Sequence, residues 1–174
     1  YICCMNICCI LAAAALYLFT PANPAVIHTA DSEWEGVKMA ARSLSEDFGR
    51  VTGENAAIGN NANVIVGTIG RSGIEKYLSR SEKKSLLGRR EMYILKITKK
   101  GIVIAGSDKR GTIYGIYRLS KEIGVSPWYW WADVPVEHRD TISLKRAVMT
   151  EGEPGVQYRG IFLNDEDWGF RPWS

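Results

Sequence analysis

The sequence predicts an α/β fold, a small mixed sheet with helices packed on it, and three observations carry that expectation. Stretches of helical period alternate with short apolar runs of strand length, the pattern of helices layered on a sheet. Two of those runs flank Lys99-Lys100-Gly101, so the sheet contains a hairpin and is not purely parallel. All four cysteines lie within the first nine residues, which leaves a hydrophobic core, and not disulfides or a thiolate metal site, to hold the fold together. With 46% hydrophobic and 24% charged residues among 174, the composition is that of one ordinary domain with part of a second.

The chain opens without a charged side chain before Asp31. Ile7 to Phe19 is apolar, too short for a membrane span, and "TPANPA" follows, so residues 1–24 read as a secretory leader with its cleavage region. The basic start of such a leader is missing, and Met5 is an alternative first residue. A buried helix is the competing reading.

From Ala25 the elements follow in order. "AVIHTA" is a short buried strand. "DSEWEGVKMAARSLSEDFGRVTG" is a helix with Trp34, Val37, Ala41, Leu44 and Phe48 on one face. Ser32 and Glu35 have the spacing of a capping box, and Gly53 that of a left-handed terminator. "NVIVGTIG", Asn63 to Gly70, is a buried strand, and Ile74, Tyr77 and Leu78 suggest a short helix. The hairpin comes next. Ser107 or Asp108 then caps a helix bearing Ile113, Ile116, Tyr117, Ser120 and Ile123 on one side, with Gly124 at its end. Gly106, Gly111 and Gly115 do not match a dinucleotide or phosphate-loop pattern and read instead as sites of close helix–strand packing. This gives a domain over residues 25–150 and, after the linker "EGEPG", a further unit begun over residues 151–174 by a strand from Val156 to Leu163.

Charge and residue supply exclude several functions. A net charge of +3 with mixed signs along the chain gives no nucleic-acid stripe, and two distant histidines give neither a zinc site nor a catalytic histidine constellation. No metal or cofactor is expected. Two segments remain as candidates. Asn164, Asp165, Glu166 and Asp167 follow an apolar strand, the position at which α/β barrels place ligand-binding groups, although a solvated acidic turn has the same composition. "SPWYWWADVPV" crowds three tryptophans and a tyrosine into Trp128 to Trp131. As a strand it would set Trp128 and Trp130 on one face, Tyr129 and Trp131 on the other, and serve as core, as a joint between domains or as a platform for sugar rings.

Taken together, "IAGSDKRGTIYGIYRLSKEIGVSPWYWWADVPV" and "YRGIFLNDE", with "EWEGVKMAARSLSEDFGRVTG" and "VIVGTIG" before them, resemble the start of xylan α-1,2-glucuronidases of glycoside hydrolase family 115. The resemblance implies an exported enzyme, periplasmic or extracellular, with no membrane span once mature. It would remove (4-O-methyl)glucuronic acid from a xylan-type polysaccharide with inversion and without a metal. It also implies an amino-terminal α/β domain like the one that precedes the barrel in family 20 hexosaminidases, then a (β/α)8 barrel of which Val156 to Leu163 is the first strand. Asn164, Asp165 and Glu166 would then be substrate-binding, and Trp128, Trp130 and Trp131 would line a domain interface or the substrate rim. The catalytic acid and base are expected in the remainder of the polypeptide, because a barrel takes on the order of 250 residues, so this portion alone is expected to be inactive. A hexosaminidase-like glycosidase with the same domain order and a free-standing carbohydrate-binding module are the alternatives.

Overall fold

A computed structural model describes residues 15–162. In chain order the elements are β1 (Ala15–Phe19), β2 (Val26–Thr29), α1 (Glu35–Thr52), β3 (Ala57–Ile58), β4 (Val64–Thr68), a 3₁₀ turn (Ile74–Tyr77), α2 (Arg80–Leu86), β5 (Tyr93–Thr98), β6 (Gly101–Gly106), α3 (Lys109–Ile123), the single turn α4 (Tyr129–Ala132), β7 (Ile142–Lys145) and β8 (Ala147–Glu151). A six-stranded sheet runs β3-β2-β4-β6-β5-β8. Its first four strands are parallel, whereas β5 runs antiparallel to both β6 and β8, so the sheet is mixed as the hairpin requires.

Both faces of the sheet are covered, which is why its central strands read as unbroken apolar runs. On β6, Ile102 and Ile104 join the core beneath α1 and α3, while Val103 and Ala105 join a second cluster with Ile74 of the 3₁₀ turn and Leu86 of α2. The alternation follows from the two-residue period of a strand. Helix α3 lies close on the sheet because its glycines permit it: a Cβ on Gly115 would stand 2.6 Å from Ile104 Cγ2, and one on Gly111 2.2 Å from the Met92 carbonyl oxygen. Asp108, one of the two candidate caps, accepts from Gly111 N at 2.8 Å. Gly53 and Gly124 end α1 and α3 in the left-handed conformation, as expected.

Several expectations are corrected. The domain boundary at residue 25 is too late. Residues 15–19 form a strand paired with β7, with Leu16 opposite Leu144, and Leu16, Leu18 and Phe19 are buried in the main core. The capping box at Ser32 and Glu35 is absent, because α1 starts only after Trp34. Glu33 instead turns inward, and its carboxylate accepts from Thr68 N at 2.7 Å, Thr68 Oγ1 at 2.9 Å and Trp34 N at 2.9 Å. Ser32 Oγ donates to the Arg71 carbonyl. A capping box does occur at Ser79 and Glu82, on α2, a helix the sequence reading leaves out. Finally, residues 156–162 of the expected first barrel strand pair with no strand, and Leu163 lies outside the described residues. A strand exists through hydrogen bonds to its neighbours, and no described segment flanks this one. Ile161 and Phe162 stand 85% and 89% exposed.

Candidate functional site

The aromatic segment is a helical turn and not the expected strand. After α3 ends, Ser126 Oγ accepts from Trp128 N at 3.1 Å and the Ser126 carbonyl accepts from Tyr129 N at 3.0 Å. Ala132 N then donates to the Trp128 carbonyl at 2.9 Å, closing α4. These local bonds satisfy backbone groups that a strand would need a neighbour to satisfy. The turn divides the aromatic side chains. Tyr129 packs against the main core, whereas Trp128 is 63% and Trp131 81% exposed. Trp130 lies on the same turn; its side chain is not among those described.

Beneath the turn, α1 and α3 form a groove of about 500 Å³ lined by Ser43, Asp47, Arg50, Tyr117, Ser120 and Pro127. Arg50 Nη1 donates to Asp47 Oδ1 at 2.7 Å, and its guanidinium carbon lies 5.4 Å from the centroid of the Tyr129 ring. Such a cation–π contact contributes about 0.5–1 kcal/mol at a site open to water. Burial pushes the Asp47 carboxyl above its ordinary value, against the opposing pull of the Ser120 hydroxyl and Arg50. Asp47, Arg50 and Tyr129 therefore form a chain of contacts from α1 to the turn.

A second cluster gathers where the segment after β8 crosses the loop before β5. Glu91 has a left-handed backbone, φ 56°, uncommon for a side chain other than glycine. Its N–H donates to Asp108 Oδ2 at 2.8 Å, and its carboxylate accepts from Arg110 at 3.1 Å and from Arg159. The bond from Arg159 is the main cause that holds the Glu91 carboxyl below its usual range. Nearby, Glu153 is held low chiefly by the bond from Arg90 N. Tyr93 donates to Glu151 at 2.8 Å, and burial with that contact raises the phenol to about 12. Glu91 and Glu153 are thus ionised and cation-paired near neutral pH, the opposite of what a general acid needs. This cluster fastens the carboxyl-terminal segment to the sheet. Sequence reading missed it, although Arg159 stands in the "YRG" of the quoted signature.

Asn164, Asp165 and Glu166 lie outside the described residues. The structure therefore brings together a tryptophan-bearing turn and an ion-paired corner, and no described pair of carboxylates set up for acid and base work.

Residues 15–119 match the family model described as glycosyl hydrolase family 67 N-terminus, a match that begins at the first residue of β1. Among solved structures, a family GH115 4-O-methyl-α-glucuronidase with specificity for decorated arabinogalactans is 40% identical, with a TM-score of 0.78 over 92% of this chain. The chain spans only 21% of that protein. A family 20 β-N-acetylhexosaminidase from Streptomyces coelicolor A3(2) shares the fold at a TM-score of 0.56 and 12% identity, over 84% of this chain and 25% of its own. An N-acetyl-β-hexosaminidase from Streptomyces plicatus does so at 0.54 and 13%, over the same shares. A search of the curated proteins finds no match.

Proposed function

Because this chain belongs to the glycosyl hydrolase family 67 N-terminus family and is an amino-terminal glycoside hydrolase domain of the GH115 glucuronidase-like kind, we propose that it serves an exported enzyme that removes (4-O-methyl)glucuronic acid side chains from a xylan-type polysaccharide with inversion. The observation that carries the reading is the 40% identity over nearly the whole chain to a 4-O-methyl-α-glucuronidase. The decorated arabinogalactans of that relative make arabinogalactan a second substrate to test.

In this reading the domain is a support and not a catalyst. Inversion needs a general acid and a base roughly 6.5–9.5 Å apart across the scissile bond. The buried or ion-paired carboxylates Glu33, Asp47, Glu82, Glu91 and Glu153 are tied to the fold, and in this reading both groups come from the remainder of the polypeptide, with Asn164, Asp165 and Glu166 in the substrate pocket. The turn bearing Trp128, Trp130 and Trp131 docks against that remainder or borders its substrate rim. The complete enzyme should release methylglucuronic acid from glucuronoxylan, whereas residues 1–174 alone should release none. Release of N-acetylhexosamine from chitin-type substrates and none of uronic acid would favour the hexosaminidase-like reading instead.

Export is part of the proposal, with one constraint from the fold. Cleavage after residue 24 would remove β1 and its buried Leu18 and Phe19. The mature protein should therefore begin at or before Ala15, which amino-terminal sequencing of secreted material checks. A first residue beyond Phe19 would overturn this placement.

A further inference from the structure

The positive charge of this chain is unevenly placed. Residues 71–100 hold ten of its 22 Lys and Arg but three of its 19 Asp and Glu, so they carry +7 and the rest of the chain −4. Folding gathers this stretch into the sheet strand β5 and into the layer that the 3₁₀ turn and α2 form on the side of the sheet away from the aromatic turn. The mixed-sign reading of the whole sequence is thus corrected locally.

Within this layer lies a cleft of about 440 Å³, inside the roughly 300–1,000 Å³ range of ligand sites. Ile65 and Val103 line its apolar part, and Tyr77, 37% exposed, stands beside them. Lys96 inside the cleft is neutralised by Glu82, with Nζ 3.0 Å from Oε1. Lys99, Lys100 and Arg146 also line it, all three are exposed, and none forms an ion pair with a described carboxylate. The hairpin that presents the two lysines is held firmly. Thr98 Oγ1 donates to the Gly101 carbonyl at 2.9 Å and accepts from Lys100 N at 3.1 Å. Gly101 has φ 144°, and a Cβ there would stand 2.3 Å from the Asn63 carbonyl oxygen, so only glycine lets the hairpin sit against that loop.

We propose that this cleft is a binding site for a polysaccharide bearing carboxylate groups. An aromatic ring and aliphatic side chains accept the C–H faces of sugar rings, while unpaired ammonium and guanidinium groups accept the carboxylates. Lys83 and Lys84 of α2 extend the positive field beyond the cleft, which suits a polymer better than a single small anion. The identity of the polymer as a uronate-bearing one rests on the glycosidase reading above. The site would keep the enzyme on its substrate.

Binding of residues 1–174 to glucuronoxylan, measured by affinity electrophoresis, tests it. The comparison polymers are the same xylan with its carboxyls reduced to alcohols, and single-stranded DNA as an unrelated polyanion. Glucuronoxylan should be retained, and reduction of its carboxyls should weaken binding roughly tenfold, as expected when several exposed ionic contacts are lost together. The variant Lys99→Ala/Lys100→Ala/Arg146→Ala should show a similar loss with an unchanged melting curve. Arg42→Ala/Lys121→Ala, which removes two exposed cations of α1 and α3 outside the cleft, should bind as the parent does. Absence of retention, equal retention of the reduced polymer, stronger retention by DNA, or a triple variant that binds like the parent would each overturn the site. The glycosidase reading fails by a different result, absence of uronic acid release by the complete enzyme from short soluble aldouronic oligosaccharides.

Discussion

Two apolar stretches near opposite ends of the described chain meet different fates. Leu16, Leu18 and Phe19 of β1 are buried, while the segment from Val156 to Phe162 lies with its large side chains in water. Each stretch carries a phenylalanine, a tyrosine and aliphatic residues, although the second also holds Gln157, Arg159 and Gly160. The difference is the partner. β1 has β7, which pairs with it and supplies Ile142 and Leu144 to the same core. Residues 156–162 have one described anchor of note, the Arg159–Glu91 ion pair, and no adjacent strand. An apolar run becomes a strand only where another segment completes its hydrogen bonds and covers its face.

The sharpest way to break this comparison is to truncate one phenylalanine in each stretch. Phe19→Ala should cost about 3–5 kcal/mol in urea unfolding, the range for emptying an aromatic core site. Phe162→Ala should stay within about 0.5 kcal/mol, as an exposed side chain does. Equal losses would show that the carboxyl-terminal segment is packed after all.

A smaller effect concerns the bare surface itself. Residues 1–174 should bind a hydrophobic dye and self-associate at high concentration, through Ile161 and Phe162 and through Trp128 and Trp131. Ile161→Ser/Phe162→Ser should lower the dye signal with no shift in melting temperature. A chain that stays monomeric and dark at high concentration would remove the docking role given to these surfaces.

The smallest expected effect is in acid, and it separates the two ends of the fold electrostatically. Glu91, fastened to Arg159 and Arg110, is held below its ordinary 4.5. Its contribution to stability is therefore present above 4.5 and lost as pH falls through the depressed folded value. Asp47, raised by burial above 3.8, acts with the opposite sign: its contribution is present below 3.8 and lost as pH rises through the raised folded value. Stability measured against pH should lose its acid-side fall in part with Glu91→Gln, and Asp47→Asn should remove a loss on the rising side. If both variants follow the parent profile, neither carboxylate is linked to folding.

Much of the fold was legible where its cause is local. The face of Val37, Ala41, Leu44 and Phe48 follows from helical period, and the Lys99-Lys100-Gly101 hairpin from turn chemistry. The close packing at Gly111 and Gly115 was readable once phosphate-loop spacing had failed. The kinship was carried by the long aromatic-containing stretch. The entry into α1 was not legible, because Glu33 is satisfied by Thr68 of β4, a partner that no short-range pattern names. The candidate site was legible only in part. The tryptophans were found, but their division into exposed Trp128 and Trp131 beside an inward Tyr129 follows from the helical turn and from the core that Tyr129 packs on.

By itself, then, the sequence determined the alternation of elements, the mixed sheet, the helix ends at Gly53 and Gly124 and the kinship with glucuronidases, since each is written in residues near one another along the chain. Tertiary structure decided that Leu16, Leu18 and Phe19 belong to the core, that the aromatic run closes as a turn, and that Lys96, Lys99 and Lys100 meet Arg146 at one cleft. Those outcomes depend on which distant groups come within reach to satisfy a backbone amide, cover an apolar face or leave a charge without a counter-charge, and only the folded chain sets those distances.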